Sequence, residues 1–233
     1  MLRSGAEILR IEDTVIRICN AYGDGIVDVF TILSLIIVSW KTPDGRSITQ
    51  TRRIYSYSTD LERLEELNAL SRYVCANKPP ADEIEERVNS IMCGEDKNRK
   101  YFKLAGYVLT AAAFAVFFGG NVRDGIAAGL VGIILYAWDF VFASHSKNRV
   151  VYSLVSSIVA GIACIFTVNA HIGVNIDSVM IGSIMILIPG IGIVNSLRDM
   201  MRGDIITGIL RLAEALMMAV AIAVGFGIAL VLI

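Results

Sequence analysis

Apolar positions near the start of the chain, Ile8, Ile11, Val15, Ile18 and Tyr22, recur at alternating steps of three and four. That spacing predicts one amphipathic helix over 2–22. Arg3, Glu7, Arg10, Asp13 and Arg17 are spaced to pair at i+3 or i+4 beside this stripe, each pair contributing about 0.2–0.5 kcal/mol, and Gly23 stops the helix. The run Ile26–Trp40 is too short for a membrane span, carries Asp28 and is rich in β-branched residues, which predicts a buried strand. Thr42-Pro43-Asp44-Gly45 supplies a turn, and Arg46–Tyr57 returns as a second, antiparallel strand. Thr59 with Glu62 has the spacing of a capping box. It opens a helix whose apolar face is Leu61, Leu64, Leu67, Leu70 and Val74. Pro79 and Pro80 start another helix through Met92, presenting Ile84, Val88 and Ile91.

The pattern then changes. After a polar connector at Gly94–Lys103, five apolar runs follow at about Leu104–Gly120, Gly125–Phe142, Val150–Ala170, Ser178–Leu197 and Ile205–Ile233. Each is long enough as a helix to cross about 30 Å of hydrocarbon. Composition sharpens the contrast: residues 1–100 hold 30 of the 43 charged side chains, so the rest of the chain lacks the polar exterior a soluble bundle needs. The expected fold class is an α-helical polytopic membrane protein of about five transmembrane helices, residues 99–233, behind an N-terminal α+β soluble cytoplasmic domain, residues 1–98.

Lys147, Arg149, Arg198 and Arg202 share one side of the membrane if the first domain is cytoplasmic, and Arg123 falls on the other. The positive-inside rule then places the amino terminus in the cytoplasm and the carboxyl terminus outside the cytoplasmic membrane. The first hundred residues carry 14 basic against 16 acidic side chains, so no field favours nucleic acid. Cys19, Cys75, Cys93 and Cys164 are scattered, which suits reduced thiols and gives no metal motif. No secretory leader pattern opens the chain.

Candidate chemistry lies in the last two runs. Pro189, Gly190 and Gly192 interrupt an uncharged segment: proline cannot donate to the carbonyl of Met185, and glycine weakens a helix further. Two readings stand, a broken span of the kind that builds transporter sites or a proline kink satisfied by its neighbours. Asn195, Arg198 and Asp199 continue that segment. Arg211 and Glu214 lie in the opening turns of the last run, spaced to pair with each other. Charges at such depth cost about 2.5–3.5 kcal/mol each, so they face an interior or a partner. Arg198 also reads as an anchor at a helix end. Asp139, beside Tyr136 and Trp138, reads as a solvated carboxylate in an aromatic belt, with proton coupling as the alternative. Asp177 reads as a helix cap. His145 and His171 sit in loops outside any constellation, and no catalytic triad is visible, so neither an enzyme, a metal nor a cofactor is indicated.

Three segments, Gly5–Gly23 (GAEILRIEDTVIRICNAYG), Thr51–Arg72 (TRRIYSYSTDLERLEELNALSR) and Leu187–Leu216 (LIPGIGIVNSLRDMMRGDIITGILRLAEAL), resemble the threonine/serine exporter family in order and spacing. Glu7, Glu12, Asp13 and Arg17 match the first block, although a salt-bridged surface helix has the same spacing. Two departures stand out: the family usually has further residues before the first block, and Thr31–Leu35 reads TILSL where a Thr-Pro turn between strands is expected. The resemblance implies the larger subunit of a split secondary exporter, driven by the proton-motive force. A second small membrane protein would form the other half. Its substrate would be threonine, serine or, as an alternative, a dicarboxylate such as succinate, for which Arg198 or Arg211 could supply the extra cation. Homo-oligomerisation stays open. The rival reading is a membrane-anchored sensor or enzyme whose spans only hold the first domain.

Overall fold

The computed structural model describes residues 1–55, 58–94, 97–142 and 148–232, so His145, Lys147 and the Tyr57 end of the second expected strand lie outside the described residues. The chain divides into two compact units, Met1–Gly94 with Ile191–Leu212, and Glu95–Gly190 with Ala213–Ile233.

In the first unit, a single 3-10 turn at Leu2–Ser4 ends on Gly5, whose φ of 86° puts the backbone in the left-handed region. Glu7 is extended, and helix α1 runs only from Ile8 to Tyr22. The helix expected over 2–22 therefore starts six residues late, because the glycine turns the chain before the apolar stripe begins. Of the five charges spaced to pair along it, Asp13 and Arg17 do so on the surface. Glu7 and Glu12 are drawn elsewhere.

The strand expected over Ile26–Trp40 is two strands. β1 (Ile26–Ile32), β2 (Leu35–Lys41) and β3 (Ser47–Arg53) form an antiparallel meander in the order β1-β2-β3. Ile32 faces Leu35, leaving Leu33 and Ser34 as a two-residue turn, where the resemblance leads one to expect a turn. Leu33-Ser34 contains none of the Gly, Asn or Pro signals that mark hairpins in a sequence, so the break was invisible to pattern. Nor is this sheet buried: β1 buries only Thr31, β2 is mostly half-exposed and β3 is exposed throughout. Helix α1 lies along β1, and the edge N–H of Thr31 donates to Glu12 Oε1 at 2.9 Å. This covers one hydrogen bond of an otherwise open edge.

Helix α2 (Leu61–Asn77) is capped by Asp60, which accepts the Arg63 N–H at 3.1 Å, rather than by Thr59. Its Leu64, Leu67, Leu70 and Val74 are buried as the stripe predicts, while Leu61 at the first turn is exposed. Helix α3 (Ala81–Cys93) follows Pro80 and buries none of its residues. Leu2, Ala6, Ile8, Ile11 and Leu64 form the core of this unit, so the segment before α1 is packed.

In the second unit, α4 (Lys97–Phe117), α5 (Val122–Phe142), α6 (Arg149–Asn169) and α7 (Ile176–Leu187) are followed, after α8 (Gly190–Met201), by the main part of α9 (Ile205–Val231). Among the described residues four helices, α4, α5, α6 and α9, are long and apolar enough to cross a membrane, and α7 with α8 makes a fifth if the bent pair is one span. The closest approaches between them fall at small residues, as in membrane bundles that lack a hydrophobic driving force between helices. A Cβ at Gly132 would lie 2.7 Å from the Tyr107 carbonyl oxygen of α4, and one at Gly225 would lie 2.7 Å from the Leu154 carbonyl of α6. Ser153, Ser156, Ser157, Ala160, Gly161 and Cys164 give α6 a buried face of small side chains.

Candidate functional site

The segment that carries the first sequence-predicted feature is two helices. Helix α7 ends at Leu187, Ile188 is extended with ψ of 129°, and α8 resumes at Gly190. Ile188 closes the ladder of α7 by donating to Ile184 O at 3.1 Å, and Gly190 donates back to Ile188 O at 2.8 Å. The missing N–H of Pro189 thus falls in the gap between the helices, where it costs no helical bond. Gly190 opens α8, and Gly192, two residues on, is half-buried.

Farther along, Asn195, Arg198 and Asp199 of α8 and Arg202, in the turn just past its end, fall at i, i+3, i+4 and i+7, the spacing of a single face. The chain before α1 meets that face. Asn195 Nδ2 donates to Gly5 O at 3.3 Å. Arg198 and Arg202 take one oxygen each of the Glu7 carboxylate, Arg202 at 2.6 Å. Asp199 accepts the N–H of Ile8, the first residue of α1, and so does the capping that Glu7's own side chain omits.

Beneath this layer lies a second pair. After a turn at Gly203, with φ of 101°, α9 runs back close against α8, since a Cβ at Gly208 would sit 2.8 Å from the Ser196 carbonyl oxygen. That close approach brings Arg211 Nη1 to 3.0 Å from Asp199 Oδ2, with the side chains 6% and 2% exposed. The distance is that of an ion pair, yet neither atom has a hydrogen-bond partner, so the two groups face each other without alignment. Arg211 Nη2 reaches the Ala6 carbonyl only at 3.4 Å. Asp204 Oδ2 is also buried without a partner, and its charge acts on Asp199. Three carboxylates, Glu7, Asp199 and Asp204, thus accompany three guanidiniums, Arg198, Arg202 and Arg211.

The sequence-predicted residues therefore separate into groups. Asn195, Arg198, Asp199 and Arg211 come together, whereas Pro189, Gly190 and Gly192 belong to the opposite end of α8. Arg211 and Glu214, expected to pair, find partners elsewhere: Glu214 lies 3.3 Å from Arg149 of α6 within the second unit. Local spacing permitted the i+3 pair, but each group instead met an opposite charge contributed by another helix. Glu7 is the residue that sequence reasoning misplaced. Its burial to 7% exposure and its partners 191 and 195 residues away are those of a structural and electrostatic centre. The i, i+3, i+4, i+7 polar face of α8 was the signal that a charged partner had to exist.

Asp139 is likewise not solvated. It is 16% exposed, paired with Lys103 of α4 and accepting the Tyr152 hydroxyl at 2.7 Å. Trp138 donates to Ser156 at 3.1 Å. Asp177 is not a cap, since Asn175 accepts its N–H at 3.0 Å. The buried Asp124 of α5, which pattern did not single out, holds the same loop by accepting N–H bonds from Val174 at 2.6 Å and Asn175 at 2.8 Å. His171 is exposed, and its carbonyl accepts from Arg123.

Residues 1–233 match the threonine/serine exporter family, ThrE. The chain belongs to that family. Among curated proteins it is similar to one from Mycobacterium tuberculosis named a "Probable threonine/serine exporter", with 26% identity over 236 residues that cover 99% of this chain and 44% of that protein. It is similar also to a threonine/serine exporter of Corynebacterium glutamicum, with 22% identity over 238 residues, 98% of this chain and 48% of the other. The chain thus spans about half the length of these relatives. No solved structure matches it.

Glu7 precedes every candidate span. Burial alone pushes its carboxyl up, but the Arg198 hydrogen bond and the charges of Arg198, Arg202 and Arg10 outweigh burial and hold it below the ordinary glutamate value of 4.5. A depressed carboxyl contributes stability that is present above the unfolded-state pKa and lost as pH falls through the folded one. Glu7→Gln is expected to lower stability by about 1–3 kcal/mol, the range for hydrogen bonds to charged groups. The figure is discounted because Arg198 and Arg202 are about half exposed and rehydrate. Unfolding of the detergent-solubilised protein at pH 5 to 8 should show a constant gap between wild type and variant that closes only below about pH 4.5. A gap that closes near neutrality would refute the assignment.

Proposed function

We propose that this chain is the larger subunit of a secondary exporter that moves threonine or serine outward across the cytoplasmic membrane. Residues 1–98 would form the cytoplasmic domain and 99–233 the membrane domain, with the carboxyl terminus outside. A second small membrane protein would supply the spans that complete the transport path. The observation that carries the reading is the buried Asp199–Arg211 pair, joined through Glu7 and Ile8 to the domain before the first span. Placing a carboxylate and a guanidinium in span-length apolar helices is costly, and a passive anchor gains nothing from it. A site for a small charged solute does. The Ile188–Pro189 break supports the same reading, because discontinuous helices recur where transporters bind solutes.

The test is efflux of labelled serine, threonine and succinate from cells expressing the chain with and without the membrane protein encoded beside it, repeated with Pro189→Ala. The expected result is efflux of serine or threonine that depends on both proteins and falls at least about tenfold in Pro189→Ala, a change of about 1.4 kcal/mol in barrier. Full efflux by this chain alone would sink the split-exporter reading. Silence of every span variant, alongside tight metabolite binding by the first unit, would favour an anchored sensor.

A further inference from the structure

We infer that Asp199 and Arg211 are the specificity-determining pair of this transport path: they part to take the ammonium of an α-amino acid on Asp199 and its carboxylate on Arg211, and close on each other when no solute is present. The inference rests on the exporter reading above and adds which groups recognise the solute.

Geometry is the first support. Arg211 Nη1 and Asp199 Oδ2 are buried, 3.0 Å apart, and without a hydrogen bond to each other or to any other group. A buried pair kept for stability alone is stable only when its geometry is good and its remaining protons and lone pairs are satisfied; this one is misaligned, and although Asp199 keeps the Ile8 N–H, Arg211 Nη2 reaches the Ala6 carbonyl only at 3.4 Å. An α-amino acid carries one strong acceptor group and one strong donor group on adjacent atoms. Placed between the two side chains, it would satisfy the orphaned N–H of Arg211 with a carboxylate oxygen and the orphaned oxygen of Asp199 with an ammonium proton, both charge-assisted bonds.

Charge balance is the second. In the buried pair itself, one carboxylate, Asp199, is matched by one guanidinium, Arg211. A zwitterion enters and leaves without altering that balance. A dicarboxylate adds two negative charges beside a buried, already neutral pair, with one of them against Asp199, and a simple amine adds an unmatched positive charge. Unpaired charge in a desolvated site is strongly disfavoured, so the cluster discriminates by rejecting solutes whose charges do not cancel. The closed pair also gives the empty state a way to keep both groups from standing unpaired. The Ile8 N–H, which already serves the Asp199 carboxylate, holds that side chain at the rim of the site in either state.

The experiment uses inside-out membrane vesicles from the host of this sequence, with the chromosomal copy carrying each variant so that every native partner is present. Uptake of labelled L-serine is competed by L-threonine, serine methyl ester (no carboxylate), N-acetylserine (no ammonium) and succinate. In wild type, threonine should compete at least tenfold better than the other three. In Asp199→Asn the advantage of serine over N-acetylserine should collapse toward unity. In Arg211→Gln the advantage over the methyl ester should collapse, while the other discrimination survives. Because each single variant leaves a buried charge unpaired, the neutral double variant Asp199→Asn/Arg211→Gln serves as the folding control. It should reach wild-type amounts in the membrane, yet show neither discrimination. Wild-type vesicles that take up serine, with both discriminations intact in the variants, would overturn this assignment and leave the exporter reading standing. Wild-type vesicles that take up neither serine nor threonine would overturn the two together.

Discussion

Arg211→Gln is expected to cost about 3–5 kcal/mol of folding stability, and adding Asp199→Asn to it should recover most of that loss. The figure is that for breaking a buried pair by removing one partner, which leaves the other as an uncompensated charge in a medium that cannot solvate it. Asp199 is 2% exposed, so water cannot reach it without local opening. It keeps the Ile8 N–H, but Asp204 and Glu7 then add repulsion with nothing to offset it. Neutralising both residues removes the charge that had to be buried, and such replacements are commonly neutral or stabilising. The measurement is denaturant or pulse-proteolysis unfolding of the solubilised chain for wild type, both single variants and the double variant. A double variant as unstable as the sum of the singles would show that the two side chains act independently, contrary to the 3.0 Å contact.

Gly182→Val should lower stability by about 3 kcal/mol or abolish accumulation in the membrane. On α7, a Cβ at this position would sit 2.8 Å from Ala115 Cβ and closer still to the Ala111 carbonyl oxygen of α4. Backbone atoms cannot rotate away as a side-chain tip can. The helices would have to move apart, losing contacts along their shared length, and overpacking of even a tight core costs about 1–3 kcal/mol before such separation is counted. Gly190→Ala is the matched control. A Cβ there meets nothing within 4 Å, and the change should stay within about 0.5 kcal/mol. If the two glycine variants accumulate and unfold alike, the close approach of α4 and α7 is wrong.

What could be read in the sequence followed from how locally each feature is encoded. The stripes of α1 and α2, the stop at Gly23 and the interruption at Pro189 depend on neighbours within one or two turns, and the structure has them, apart from the exposed Tyr22 and Leu61 at the stripe ends. The hairpin at Leu33-Ser34 depends on pairing between strands and carries no turn residue, so an apolar run concealed it. Glu7 shows the same limit for charge. Its nearest opposite charge in sequence is Arg10, on the expected helix face, but Gly5 and the extended Glu7 backbone swing the carboxylate toward Arg198 and Arg202 instead. The site residues Asn195, Arg198, Asp199 and Arg211 were recognisable as polar groups out of place among apolar ones. That Arg211 would choose Asp199 over Glu214 required the α8–α9 turn and the close approach at Gly208, which spacing along a single helix does not contain.

The grip of Glu7 on α8 also has a consequence for the order in which the protein is made. Contacts across 191 and 195 residues are among the longest this chain can form, and distant contacts are the slow ones, since the loop between them must be closed first. On the ribosome, the segment before α1 emerges long before α8 exists, so Glu7 and the Ile8 N–H wait, hydrated and unmatched, while the intervening helices are inserted. The first unit to be synthesised is therefore completed among the last, and a chain that stalls before Arg198 leaves the Glu7 carboxylate without either of its two guanidinium partners.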